Sequence, residues 1–361
     1  MYNYRPIGIN SAKIIADEER EERANIPNAQ KYKGTINNLF KDDKKFSQIA
    51  NNIVSRNPYI KIERIKEFYD QIIKGNEELL KVEDNIKQIY VKLLNFQVPK
   101  KAVDRLTAIN GKLQFIKGND EKQSKNVNMD YFSVRIDKMP TFGGQLSDAG
   151  MLYKKIRDNF LTLSKGTVSF ESNCREITIG GNWEFIPYPN QPKEELRRWE
   201  KQLGGAIFEI KAGGDFIART TGDDGAVLES ESSQDSWIFT TVFTPESDTQ
   251  PFSGHRQFGI HKDKEGNYRF FARAIDRVWP KDFISFWNGK ECTVLDYLNI
   301  ADATWNNLMN NVSKFVNGNG GKTTIMPADI KRVNFNIFFK KFRSNKPVNF
   351  VGNVDQFKTY N

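Results

Sequence analysis

Cysteine and histidine are both scarce in this sequence, which limits the chemistry that its side chains can perform. The 361-residue chain contains two cysteines, Cys174 and Cys292, and two histidines, His255 and His261. The cysteines lie far apart and in no paired motif, so the sequence predicts neither a disulfide framework nor a zinc site. We therefore predict no bound metal and no cofactor.

Long apolar runs are also absent from the sequence. No stretch reaches the roughly 20 apolar residues that a membrane-spanning helix needs, and the longest apolar segments have the length of a strand. The N-terminus has neither the apolar core nor the cleavage site of a secretory signal peptide. The sequence thus predicts a protein without a transmembrane segment, made in the cytoplasm and exported, if at all, without a cleaved signal.

Positive charge is in excess, but its pattern does not indicate nucleic-acid binding. The formal net charge at pH 7 is +9, and most of the excess falls in a segment where lysines alternate with glutamates. Interleaved charges of both signs are typical of a solvated helix surface. A nucleic-acid site concentrates basic residues instead, so we find no strong nucleic-acid signal.

Apolar residues in the first third of the chain recur at spacings of three and four, which predicts helices. One helix is predicted over 57–75, a second over 79–96, and a third from Pro99 onward. Residues 1–57 are polar and only partly regular. We predict a helical N-terminal domain over residues 1–125.

The apolar period changes to two after the polar stretch 116–130, which is the predicted linker. The segment "YFSVRIDKM" alternates cleanly between apolar and polar residues, and further strand patterns follow, separated by a few helices. Ser147 is the predicted N-cap of the first of these helices. Segregated strands and helices indicate an α+β fold, with a mainly antiparallel sheet domain over residues 128–361.

Residues 253–279 contain both histidines and four arginines, and they are typical of either an active site or a β-hairpin. Two alternating segments flank "KDKEG", in which Gly266 can adopt the positive φ of a tight turn. His255 and His261 fall on one face of a strand but about 20 Å apart, too far to share a metal ion. We predict a hairpin at the core of the sheet, with His261 exposed beside the turn.

A catalytic set is not evident, but two residues are candidates. His255 is a possible general base, and Cys174 is a nucleophile that the fold would have to bring to it. The sequence has no G-x-S-x-G nucleophile motif, and "VNGNGGKTT" departs from the phosphate-loop pattern because Val316 stands where a glycine is required.

The densest polar group of the sequence is the set Arg256, Arg273, Asp276 and Arg277. Two arginines four residues apart on one strand can clamp an anionic group, which makes this set a candidate binding site. The alternative is that Asp276 pairs with an arginine and fixes the end of the strand.

Three segments, "YFSVRIDKMP", "SGHRQFGI" and "GNYRFFARAIDRV", occur in this order within about residues 130–317. Together they resemble a module of secreted toxin-like proteins and effectors of contractile injection systems, including type VI secretion, in Bacteroidota. The resemblance implies export without a cleaved signal. It also implies a protein partner, which would be the secretion apparatus, an immunity protein or a target protein. It implies no catalytic residue.

Three functions are compatible with the sequence. The first is an antibacterial or host-directed effector that binds a partner protein or an envelope surface. The second is a hydrolase-type toxin with a site around His255 or Cys174. The third is a structural component of a secretion or phage-tail-like particle. Whether the protein is an enzyme stays open at this point.

Overall fold

The fold is described here in a computed structural model. It describes residues 28–42, 84–114, 116, 126–171, 178–213, 224–247, 251–278 and 290–334, together with Lys44, Ser47, Ala50, Asn51 and Lys66. Cys174 lies outside these residues, and so does the helix predicted over 57–75 apart from Lys66. Most of the predicted N-terminal domain therefore lies outside the described residues.

The described helices and strands follow one another along the chain. The helices are α1 (Asn28–Leu39), α2 (Asp84–Asn95), α3 (Lys100–Ala108), α4 (Ala149–Asp158), α5 (Phe160–Leu163), α6 (Pro192–Glu200) and α7 (Lys290–Gly318). The strands are β1 (Lys112–Leu113), β2 (Asn126–Lys138), β3 (Thr141–Phe142), β4 (Gln145–Leu146), β5 (Gly166–Glu171), β6 (Thr178–Pro187), β7 (Ile207–Gly213), β8 (Gly225–Ser232), β9 (Ser236–Phe243), β10 (Phe252–Lys262), β11 (Tyr268–Val278), β12 (Lys322–Ile325) and β13 (Asp329–Asn334).

Eleven of these strands form one sheet, in the order β12-β2-β11-β10-β9-β8-β7-β6-β5, with β13 also paired to β2 and β1 to β9. The pairs within the sheet are antiparallel. Strands β3 and β4 form a separate small hairpin. The described structure is thus mostly antiparallel sheet with packed helices, which confirms the α+β class at this level.

The predicted hairpin is confirmed as β10 and β11, paired from Phe252↔Val278 to Lys262↔Tyr268. Its turn depends on Gly266, whose φ of 85° is a conformation that residues with a Cβ rarely adopt. The Asp263 carboxylate accepts hydrogen bonds from the backbone N–H groups of Glu265 and Asn267 and so fixes the loop. The hairpin lies in the middle of the sheet, between β9 and β2.

One face of the sheet, called the inner face, packs against α4, α5 and α7 and is rich in aromatic rings. Phe160 of α5 lies at the centre of this core, with five ring centroids between 5.2 and 5.9 Å from its own. These rings belong to Phe185, Trp199, Trp237, Phe239 and Phe258. The fully buried Arg157 of α4 pairs with Glu229 within the same layer.

Helix α7 contacts strands at both ends of the sheet order. Asn311 donates hydrogen bonds to the backbone carbonyls of Leu163 and Lys165, immediately before the edge strand β5, at 2.9 and 3.2 Å. Two residues further along the helix, Ser313 bonds Thr323 of the opposite edge strand β12 at 2.7 Å. The sheet therefore curves so far that its two edges meet the same helix.

The opposite, outer face of the sheet packs against α2 and α3. Leu93 and Leu94 of α2 share a buried aliphatic cluster with Val127 and Met129 of β2, while β1 pairs directly with β9. Residues on both sides of the predicted boundary at residues 125–128 thus pack together in the described part of the chain, and the division into two domains stays a prediction.

Two predictions about element boundaries were wrong. Strand β2 begins at Asn126, inside the predicted linker 116–130. The reason is that Val127 and Met129, alternate residues at the start of this strand, are buried against α2. The N-cap of α4 is Asp148 and not Ser147, because the Asp148 carboxylate accepts the Met151 N–H at 2.7 Å.

Candidate functional site

The four residues of the predicted binding site are divided between the two faces of the sheet. Side chains alternate along a strand, so Arg256 and Asp276 lie on the inner face, where Arg256 contacts Asp276 and α7. Arg273 and Arg277 lie on the outer face, where Arg277 contacts Ile116. The structure therefore brings Arg256 and Asp276 together and separates them from the other two arginines.

Arg256 is held between carboxylates and an aromatic ring. Its two terminal nitrogens donate to the two oxygens of Asp130 on β2, both at 2.7 Å, and Nη2 also lies 3.4 Å from Asp276 Oδ2. The guanidinium carbon lies 4.1 Å from the centre of the Trp305 ring of α7. Such a two-pronged contact on a planar carboxylate is the strongest geometry available to an arginine. The pairing of Asp276 with an arginine is the structural alternative that the sequence left open.

Asn128 also bridges the carboxylates of Asp130 and Asp276. Its Nδ2 donates to Asp130 at 2.9 Å and to Asp276 at 3.2 Å, so the two acids share both an amide and a guanidinium. Arg332 of β13 is the cross-strand partner of Asn128 and donates to Asp302 of α7. We call this set the ion cluster: Asn128, Asp130, Arg256, Asp276, Asp302, Trp305 and Arg332.

The protonation of the ion cluster is set by its burial. Desolvation and the nearby charge of Asp130 together raise the pKa of Asp276 to about 7, against the lowering effect of Arg256. Desolvation also raises the pKa of Asp302, against the lowering effect of Arg332. Asp276 thus exchanges its proton near neutral pH beside a second carboxyl group, an arrangement that can serve general acid–base chemistry.

The outer-face arginines are buried and engaged in contacts of their own. Arg273 Nε and Nη2 both donate to Gln257 Oε1, at 2.8 and 2.7 Å, and Arg277 Nη1 donates to the Ile116 carbonyl at 3.0 Å. Burial lowers the pKa of each guanidinium to about 10. An anion clamp by these two residues stays a prediction.

His255 lies on the outer face, where its Nδ1 is 2.9 Å from Thr240 Oγ1 and its ring meets the Phe96 ring edge-on at 5.4 Å. Its proposed nucleophilic partner, Cys174, lies outside the described residues. The pairing of these two residues therefore stays a prediction.

The prediction that His261 is exposed was wrong, because this side chain is 5% exposed. The Lys262 carbonyl, 2.9 Å from Nδ1, can only accept a hydrogen bond, so Nδ1 carries the proton of the neutral ring. Nε2 then accepts the hydroxyl proton of Tyr131, also at 2.9 Å. Burial lowers the pKa of His261 to about 4, which keeps the ring uncharged near neutral pH.

Within the described ranges, no group of three or more His, Cys, Asp or Glu side chains is placed to hold a metal ion. In the same part of the chain, no helix has both the length and the apolar composition that crossing a membrane requires. A scan against protein-family models and a search of curated proteins found no match for this chain.

Proposed function

We propose that this protein is an exported effector, of the toxin-like and contractile-system class found in Bacteroidota, that acts by binding a protein partner. The polar side chains of the central hairpin support a scaffold role. Arg256 is bound by Asp130, Arg273 by Gln257, and His261 by Tyr131. Side chains that are bonded to one another within a sheet stabilise the sheet, and this is the role we assign to them.

The observation that carries the proposal is a sheet edge that no described strand covers, with exposed apolar residues beside it. Within the described residues, β12 ends one side of the sheet, and its Ile325 is 41% exposed. Leu146 of the β3–β4 hairpin is 65% exposed, and this hairpin is held to the end of α7 by the Thr141 N–H, which donates to the Asn319 carbonyl at 2.8 Å. An exposed edge strand can accept a strand from another protein.

The opposite edge offers less to a partner, because none of the exposed large apolar side chains of the described residues lies on β5. Helix α7 also packs closely against its first residue. A side chain at Gly166, the first residue of β5, would come within 2.2 Å of the Asn307 amide. We therefore place the partner on the surface formed by β12 and the β3–β4 hairpin, which we call the edge surface.

A growth assay tests this proposal. The full chain is expressed in a susceptible bacterium, with and without a periplasmic signal, as the parent and as Ile325→Asp, Leu146→Asp and the control Leu203→Asp. Leu203 is 40% exposed but lies in the loop after α6. We expect toxicity to be lost in the two edge variants and kept in the control, with unchanged circular dichroism. Equal toxicity of all four proteins would contradict binding at the edge surface.

The alternative, a hydrolase-type toxin, is favoured by one observation: Asp276, whose pKa is raised to about 7, lies beside Asp130. The assay therefore includes Asp276→Asn, His255→Ala and Cys174→Ala. Loss of toxicity in one of these folded variants would favour an enzyme. No toxicity in any form would count against an effector and favour a structural component of a particle.

A further inference from the structure

Among the described strands, β12 has a neighbour on one side only. The Met326 N–H, just after β12, donates to the Ser133 carbonyl of β2 at 3.0 Å. Successive residues of an antiparallel strand direct their backbone groups to opposite sides, so Ile325 and Thr323 direct theirs away from β2. An added strand could pair with these groups, and the pairing would stop at Pro327, which has no N–H.

Side chains on both faces of the sheet hold β12 in place. Ser313 of α7 donates to Thr323 Oγ1 at 2.7 Å, and Thr323 donates to Asn317 Oδ1 at 3.1 Å. On the other face, Thr324 donates to Asp137 Oδ2 at 2.6 Å. A strand that is already fixed loses little conformational freedom when it pairs, so β12 is pre-organised to accept another strand.

Positive charge is concentrated beside this edge. Lys322 of β12 lies directly opposite Lys138 of β2, although like charges placed opposite each other destabilise a sheet. A third exposed lysine, Lys155 of α4, lies 5.8 Å from the centre of the Phe142 ring of the β3–β4 hairpin. Among the described residues, no carboxylate forms an ion pair with any of these three lysines.

The one acid on the neighbouring stretch of β2 is already engaged. Asp137 accepts hydrogen bonds from Arg135 Nε, at 2.7 Å, and from the Thr324 hydroxyl. The charges of Arg135 and Asp137 therefore offset each other. The lysines give the edge surface an excess of positive charge, which attracts an anionic group.

We propose that the partner of the edge surface supplies an extended, acidic segment that adds to β12 as a further strand. The backbone of this segment pairs with Thr323 and Ile325, and its carboxylates contact Lys138 and Lys322. An apolar side chain of the segment covers Ile325, which is 41% exposed. Lysine on a sheet edge disfavours pairing with a strand that has no acid, so the same lysines make the edge selective. This inference rests on the proposed binding at the edge surface.

Two other occupants of the edge have the wrong charge. A second copy of this chain has the same lysines, so edge-to-edge pairing would bring like charges together. Residues 335–361, which lie outside the described residues, contain five basic side chains and one acidic side chain. Neither of these complements the lysines, whereas an acidic segment does.

The test is fluorescence anisotropy with the full chain and two labelled synthetic peptides, in about 50 mM salt. One peptide alternates valine with glutamate, and the other has lysine in place of each glutamate. We expect the acidic peptide to bind with a Kd below about 1 mM and at least about tenfold more tightly than the basic peptide. Absence of binding by the acidic peptide, or equal binding of both, would overturn the proposal.

Two methylated forms of the acidic peptide test the pairing of strands itself. Methylation of alternate backbone nitrogens blocks hydrogen bonding along one edge of an extended peptide, and the two forms block opposite edges. We expect one form to lose its binding and the other to retain it. Equal binding of the two forms would contradict the addition of a strand to β12.

Matched double variants test the role of the lysines. Lys138→Gln with Lys322→Gln is expected to abolish the preference for the acidic peptide. The control, Lys193→Gln with Lys201→Gln, makes the same change in net charge at exposed positions in and after α6 and retains the preference. The first variant should have a Tm no lower than that of the parent, because it removes a like-charge pair. A lower Tm, or a preference that persists, would count against the proposal.

The growth assay separates this proposal from the proposed function. If folded Lys138→Gln with Lys322→Gln keeps its toxicity while Ile325→Asp loses it, the acidic segment is overturned and binding at the edge surface is retained. If the acidic peptide binds selectively but Ile325→Asp stays toxic, the acidic segment is supported and the proposed function is contradicted.

Discussion

The two faces of the sheet bury polar groups in different ways. On the inner face, charged groups lie against groups of opposite charge, as in the Arg157–Glu229 pair and the ion cluster. On the outer face of the central strands, three polar side chains contact neutral groups: His261 with Tyr131, His255 with Thr240, and Arg273 with Gln257. Both environments are supplied by one hairpin, because neighbouring residues of a strand point to opposite faces.

Burial shifts the pKa of a central residue in opposite directions on the two faces. Desolvation disfavours the charged form of any group, so it raises the pKa of the acid Asp276 and lowers that of the base His261. The two faces therefore respond to pH in opposite directions. Lowering the pH removes a penalty on the inner face and introduces one on the outer face.

The largest difference between the faces is expected on removal of a central side chain from each. Phe160→Ala deletes a ring that touches five others on the inner face, and we expect a loss of about 4–5 kcal/mol in the free energy of unfolding. Leu93→Ala on the outer face is expected to lose about 3 kcal/mol. Urea denaturation measures both. A smaller loss for Phe160→Ala than for Leu93→Ala would show that the aromatic core is not the principal one.

The inner-face pH response is expected to disappear in Asp276→Asn. The ordinary pKa of 3.8 is raised to about 7 in the fold, so the buried carboxyl carries no penalty below about pH 4 and the full penalty above about pH 7. The free energy of unfolding contributed by this group thus falls by up to about 4 kcal/mol across that range. Measured by urea denaturation near pH 8, Asp276→Asn should be more stable than the parent. A variant that is less stable there would show that ionised Asp276 stabilises the fold.

The outer-face response is expected to disappear in His261→Gln, whose amide oxygen can still accept the Tyr131 hydroxyl. The ordinary pKa of 6.5 is lowered to about 4, so the contribution of His261 is complete above about pH 6.5 and is lost as the pH falls toward 4. This loss amounts to up to about 3 kcal/mol. Urea denaturation between pH 4 and pH 7 should show a weaker acid destabilisation in the variant. An unchanged pH profile would contradict the assignment of a neutral, buried ring.

A small effect is expected from Thr240→Val, which removes the hydroxyl near His255 Nδ1 and preserves the shape of the side chain. The same hydroxyl also accepts a hydrogen bond from Ser230. Because a neutral hydrogen bond contributes about 1 kcal/mol, we expect a loss of about 2 kcal/mol in urea denaturation. Asn159→Ala, which removes an exposed contact after α4, is the control. A loss above about 3 kcal/mol for Thr240→Val would indicate that this pair does more than stabilise the sheet.

The hairpin could be predicted because its signals are local: two alternating segments, a glycine in the turn and a short loop. Asp130 and Asn128 were missed because the stretch around them is polar and was interpreted as a linker. They alternate with Val127 and Met129, and this period of two was the signal that could have placed them on a strand. His261 was predicted to be exposed from its position near the turn, but Tyr131 of another strand lies against it.

The sequence by itself determined the hairpin and the α+β class, since both follow from patterns within single helices and strands. Tertiary structure alone decided that Arg256 pairs with an aspartate 126 residues away in sequence and that α7 meets both edges of the sheet. It also decided which buried groups change their pKa. The reason is physical: periodicity sets which face a side chain occupies, whereas charge balance and desolvation depend on what the rest of the fold places opposite it.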